Sequence, residues 1–132
     1  MAEKLHFELV SPERLLMSES VDLVTLPGKE GDIGVLAGHA PLMTTLRPGV
    51  ITVDDAGQAS RRLFVRGGFA EVTPSGLTVL AEFSIPVEEL DTARLDQEIG
   101  HAEEDLADAR TEETRQAAQE KLDHLKQMRL SA

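Results

Sequence analysis

Gly28, Gly31 and Gly34 recur at every third position, with Gly38 close behind. Glycine-rich loops of this kind can cradle a phosphate at a helix N-terminus. A phosphate-binding loop, however, ends in Gly-Lys-Ser/Thr and feeds a helix. Here Lys29 follows the first glycine and Glu30 follows Lys29. The G-x-G-x-x-G spacing of a dinucleotide site is absent as well. The glycines therefore predict tight turns or a bulge between strands. His39 lies in Gly38-His39-Ala40-Pro41, while His6, His101 and His124 are scattered. No histidine pair has the i, i+4 spacing of a zinc helix, and there is no Cys to complete a ligand set. No G-x-S-x-G elbow frames a nucleophile. A histidine between Gly and Pro on a loop predicts an interface or turn hydrogen bond rather than a general base. The missing catalytic constellation favours a binding or mechanical part over an enzyme.

These residues must be positioned by two segments of different period. Up to about residue 87 the chain reads as short strands. Leu5, Phe7 and Leu9 alternate with His6, Glu8 and Val10, and Val21, Leu23 and Thr25 alternate with Asp22, Val24 and Leu26. Further runs occupy 42–46, 50–53, 63–66, 69–72 and 77–81. They are separated by Pro48-Gly49, Asp54-Asp55-Ala56-Gly57 and Pro74-Ser75-Gly76. Such spacing predicts a β-sandwich or flattened barrel for residues 1–87. After Pro86, Leu95, Ile99, Ala102, Leu106 and Ala109 form one helical stripe. Asp91 can cap the N–H of Arg94, and Leu90 and Leu95 occupy staple positions, which predicts a helix over about 91–110. Thr111, followed by Glu112 and Glu113, predicts a second start, with Ala118, Leu122 and Leu125 as its stripe. Residues 88–132 thus read as a helical hairpin, with one continuous helix as the alternative.

The net charge of −11 argues against a nucleic-acid partner, and four Phe with no Tyr or Trp leave little for base stacking. Residues 1–87 hold 11 acids against 7 bases, and residues 88–132 hold 13 against 6. The acid is thus concentrated on the helices as a solvated face beside a narrow apolar seam. No apolar run approaches a spanning helix, and the N-terminus lacks a signal core or transit segment. The chain is expected to be soluble, with no membrane insertion of its own and any membrane contact made through a partner.

Read whole, the loop is Pro27-Gly28-x-x-Gly31-x-x-Gly34-x-Leu36-x-x-His39-x-Pro41, followed by Leu46-Arg47-Pro48-Gly49. Gly67-Gly68-Phe69-Ala70-Glu71-Val72 and Leu77-Thr78-Val79-Leu80-Ala81-Glu82 come later. In this order the strings resemble the epsilon subunits of bacterial F-type ATP synthases, whose mitochondrial counterpart is called delta. The resemblance runs from Leu5 to the end of the chain. It implies a sandwich of about ten strands followed by two helices. It also implies a non-catalytic rotor subunit on the cytoplasmic face of the bacterial inner membrane, coupling the gamma subunit to the c-ring.

By motif position, the resemblance implies that the Glu30-Gly31-Asp32 turn faces the c-ring and that His39 lies near gamma. An acidic loop suits ring loops that carry Arg. The helices of many such subunits fold against the sandwich or extend toward the catalytic alpha and beta subunits to restrain ATP hydrolysis, a two-state element. A strongly regulatory, ATP-sensing tail is the alternative to a largely passive one. Some relatives bind ATP through a motif resembling Leu90-Asp91-x-x-Arg94-Ala; here Leu95 replaces the final Ala. Leu90, Asp91 and Arg94 are thus a candidate weak nucleotide site, and they are equally explained as staple and cap. Acids crowd the helix after Arg94, and His101 stands where ATP-binding relatives carry Arg. ATP binding is expected to be weak or absent, and no other cofactor is implied.

Overall fold

The computed structural model describes residues 3–132. Eight strands precede two helices: β1 (Leu5–Val10), β2 (Leu15–Val21), β3 (Leu23–Gly28), β4 (Gly31–Val35), β5 (Leu42–Thr45), β6 (Gly49–Asp54), β7 (Arg61–Thr73) and β8 (Gly76–Pro86), then α1 (Thr92–Asp108) and α2 (Glu112–Ser131). The chain divides into two compact units, one ending at Pro86 and the other spanning Val87–Ala132.

In the first unit the hydrogen-bonded order is β2-β1-β8-β7-β6-β3-β4, with β5 added on β7. The strand count is eight rather than ten, and the sheet does not close into a barrel. The reason lies in β7 and β8, each of which serves two layers. Residues 61–65 pair with β6, whereas 69–72 pair with β5. In β8, 77–80 pair in parallel with β1, whereas 83–86 pair with the first part of β7. The inward parity of β7 changes on the way: Leu63 and Val65 are buried before Gly67-Gly68, and Ala70 and Val72 after it. Both glycines have positive φ, 74° and 108°. A strand of strict period two cannot change its buried parity without such a corner. The runs 63–66 and 69–72 are therefore one strand that turns from one layer into the other.

The core cluster between the layers is aliphatic apart from the ring of Phe7; Phe64, also fully buried, lies outside that cluster. Leu5, Phe7 and Leu9 alternate inward as their pattern predicts, beside Leu77 and Val79 of the paired strand β8 and in one cluster with Val24, Leu26, Ile51 and Val53. Each such burial is worth about 1.5–3 kcal/mol. The alternation read through Val21, Leu23 and Thr25 is corrected at Asp22. Val21 closes β2, and β3 then buries Val24 and Leu26 instead. The Asp22 carboxylate accepts the Ala56 N–H at 2.6 Å and lies 3.0 Å from Lys4 Nζ, which also pairs with Asp55.

This surface cluster makes a pH prediction. Lys4, and after it the Ala56 amide, holds the Asp22 carboxyl below its ordinary range, while Asp55 first and then Asp22 raise Lys4. The stability from Asp22 is present above the ordinary carboxylate range and fades as pH falls through its depressed value. That from Lys4 is present below the ordinary lysine range and fades as pH rises through its raised value. Lys4→Met is expected to lower the denaturant midpoint slightly at pH 7 and to flatten its decline in acid, measured by urea titrations at several pH values.

In the second unit a short 3₁₀ turn, Val87–Glu89, leads to α1. The Asp91 carboxylate accepts the Arg94 N–H at 3.2 Å. Helix α1 stops where Ala109 becomes extended, and Thr111 opens α2 through a reciprocal capping box with Thr114. The pair is a hairpin, not one continuous helix. Arg129 Nε meets Asp96 Oδ1 at 2.8 Å, joining the end of α2 to the start of α1, so the helices run antiparallel. Leu95, Ala102, Leu122, Leu125 and Met128 are buried.

Candidate functional site

The glycine-rich loop forms a hairpin tip. Pro27 is paired with Asp32 and Gly28 with Gly31, leaving Lys29 and Glu30 at the apex. Glu30, Gly31 and Asp32 are exposed and adjacent. The Asp32 carboxylate is not bare: Arg47 Nη2 donates to its Oδ1 at 2.5 Å, and Arg47 Nη1 donates to the Gly28 carbonyl at 2.6 Å. The Arg47 N–H donates to the Pro27 carbonyl at 2.9 Å, and the Lys29 N–H to the Thr45 carbonyl at 2.9 Å. The tip is thereby tied to the end of β5 and to Arg47 just after it, beside a hollow that Met43 helps to line. Arg47 escapes sequence reasoning because it is 15 residues from Asp32. The Arg-Pro-Gly string just after a strand was its one signal.

His39 is half-buried on the loop between β4 and β5. Its Nδ1 lies 2.7 Å from the Ala40 carbonyl oxygen, so Nδ1–H is the donor and Nε2 is left for another partner. The His39 N–H donates to the Leu36 carbonyl at 3.1 Å. Leu36 beside it is 57% exposed. No carboxylate orients the imidazole among its hydrogen-bond partners, which matches a contact residue better than a base.

Strand register exposes a further feature. Leu9, Val79 and Ala70 face the core, so Val10, Leu80 and Phe69 face outward. They stand side by side, because Val10 pairs with Leu80, Leu80 with Phe69, and Phe69 with Thr45. Met43 occupies the next row opposite Glu71. Phe69 is 39% exposed and Met43 62%. Sequence reasoning missed this apolar row, since its members lie far apart in the chain and only pairing makes them neighbours.

In the helical unit, Leu90, Asp91 and Arg94 do not gather cations. Asp91 acts as the cap, and Arg94 Nε lies 3.3 Å from Glu98 Oε1 with its side chain 76% exposed. Arg129 pairs with Asp96 and Arg115 with Glu112. A triphosphate needs several converging donors, and each of these guanidinium groups already has a carboxylate. Among the described residues, no group of three His, Asp or Glu side chains could hold a metal ion, and no helix is long and apolar enough to cross a membrane.

Comparisons with known proteins point one way. A family model described as the ATP synthase delta/epsilon chain beta-sandwich domain matches residues 4–87. An ATP synthase epsilon chain of Parvibaculum lavamentivorans is 63% identical over 129 residues, covering 98% of each chain. One of Maricaulis maris is 54% identical, covering 89% of this chain and 88% of that one. Among solved structures, a chain in the Euglena gracilis mitochondrial ATP synthase OSCP/F1/c-ring assembly superposes with a TM-score of 0.83 at 25% identity, over 99% of this chain and 82% of that one.

Proposed function

The chain belongs to the ATP synthase delta/epsilon family, and on that footing we propose that it is a non-catalytic central-stalk subunit that joins gamma to the c-ring during proton-driven ATP synthesis. The single observation that carries this reading is the similarity to a named epsilon chain along 98% of both sequences. The geometry agrees, because the conspicuous surfaces are contact surfaces: a clamped hairpin tip, a loop histidine with a free Nε2, and an apolar sheet face. We assign the tip residues Glu30, Gly31 and Asp32 to the c-ring side. His39 and the outward row of Val10, Leu80 and Phe69 we assign to gamma. The subunit then sits peripherally on the cytoplasmic face of the bacterial inner membrane, held there by its partners.

The helical hairpin is read as a largely passive appendage that can still meet the alpha and beta subunits. Its guanidinium groups at 94, 115 and 129 are paired within the hairpin, which speaks against strong ATP sensing. Isolation of the tagged full chain from membranes in mild detergent is expected to bring down gamma, the c-ring and the catalytic subunits together. Recovery of the chain without gamma would overturn the reading. Calorimetric titration of the chain freed from that complex is expected to show no micromolar ATP binding, and binding abolished by Arg94→Ala would promote the regulatory alternative.

A further inference from the structure

The four charged side chains around the hairpin tip, Lys29, Glu30, Asp32 and Arg47, sum to no net charge. The tip therefore cannot attract a cationic partner as a uniformly acidic loop would. What distinguishes its two carboxylates is their bonding. Asp32 is held by Arg47, while Glu30 is exposed at the apex and makes no ion pair among the described residues. The same guanidinium grips the Gly28 carbonyl, one residue before the apex, and the Arg47 backbone grips Pro27. A planar fork donating in two directions fixes geometry as a flexible ammonium cannot.

We propose that Arg47 is a positioning residue for the rotor-ring contact. It compensates Asp32 and locks the β3–β4 tip, so that Glu30 is the carboxylate presented to a basic loop of the ring. The inference rests on the reading of this tip as ring-facing. It changes which residue carries the contact: Asp32, the acid at the motif position, acts through Arg47, and the touching acid is Glu30. With one oriented carboxylate in place of a charged patch, the contact depends on pose, and loosening the tip costs as much as removing the charge.

Two measurements separate the parts. In the isolated full chain, Arg47→Ala is expected to speed hydrogen exchange at the Lys29 amide, which is bonded to Thr45, by about tenfold, since a charge-assisted clamp is lost. Arg47→Lys should lie between, and the swapped pair Asp32→Arg with Arg47→Asp should recover part of the protection. In membrane vesicles carrying the assembled enzyme, Glu30→Gln is expected to lower protons pumped per ATP hydrolysed while leaving Lys29 exchange unchanged. Asp32→Asn should lower pumping only together with faster exchange. Unchanged exchange in Arg47→Ala overturns the clamp. A pumping loss in Asp32→Asn with protection intact, exceeding that of Glu30→Gln, overturns the assignment to Glu30 while the ring-facing reading stands. Normal pumping in all the variants, with exchange altered as expected, overturns the ring-facing reading itself.

Discussion

Gly68→Ala is expected to lower the stability of the sandwich by about 3–5 kcal/mol, enough to unfold many domains of this size. Gly68 stands at the corner where β7 leaves one layer for the other. Its φ of 108° lies where side chains are strained. A Cβ there would overlap the Leu80 carbonyl oxygen and lie 2.8 Å from its carbon. Both atoms are backbone of the paired strand β8, so neither can swing aside as a side chain would. Moving Gly68 also strains its carbonyl, which accepts the Leu46 N–H at 3.1 Å and so ties the end of β5 to the corner. Gly57→Ala is the control: its φ is 80°, but nothing lies within 4 Å of the added carbon. It should cost only about 1 kcal/mol. Scanning calorimetry of the full chain measures both, and similar losses for the two would show that the corner is not sterically closed.

That corner also marks where the fold stops being legible in sequence. Leu5, Phe7 and Leu9 could be read because β1 lies wholly in one layer and keeps one parity. Asp91 and Thr111 could be read because capping is local, within three residues of the group served. The β7 run could not, since a phase change in a period-two pattern looks like two strands with a gap. Strand β2 (LLMSESV) was missed for another reason: as an edge strand it buries only Val21, so no alternation survives. Strand β4 carries two glycines in five residues, and its pairing with β3 supplies what its propensity lacks. The site divides in the same way. The turn at 30–32 and the loop histidine follow from glycine and proline chemistry, whereas the Asp32–Arg47 pair and the Val10–Leu80–Phe69 row exist only through long-range pairing.

Phe69→Glu is expected to weaken binding to the gamma subunit by about 100-fold while leaving the fold intact, because exposed aromatics at the centre of an apolar patch are the usual energetic anchors of an interface. Phe69 lies between Leu80 on one side and Thr45 on the other, facing away from the core. Its burial by a partner would add apolar area without displacing any protein contact. A glutamate at this position would be desolvated on docking, and the neighbouring row already contains Glu71, which adds like charge to the same face. Stability should change little, since the substituted side chain points outward and strand pairing uses only the backbone. The measurement is the dissociation constant of the full chain for purified gamma, with calorimetric unfolding as the check on folding. Arg62→Ala is the comparison, an exposed change in the part of β7 that pairs with β6 in the other layer. Equal affinity for the Phe69 variant and the parent would place the gamma contact elsewhere, whereas equal weakening by the Arg62 variant would mean that the effect is not specific to this face.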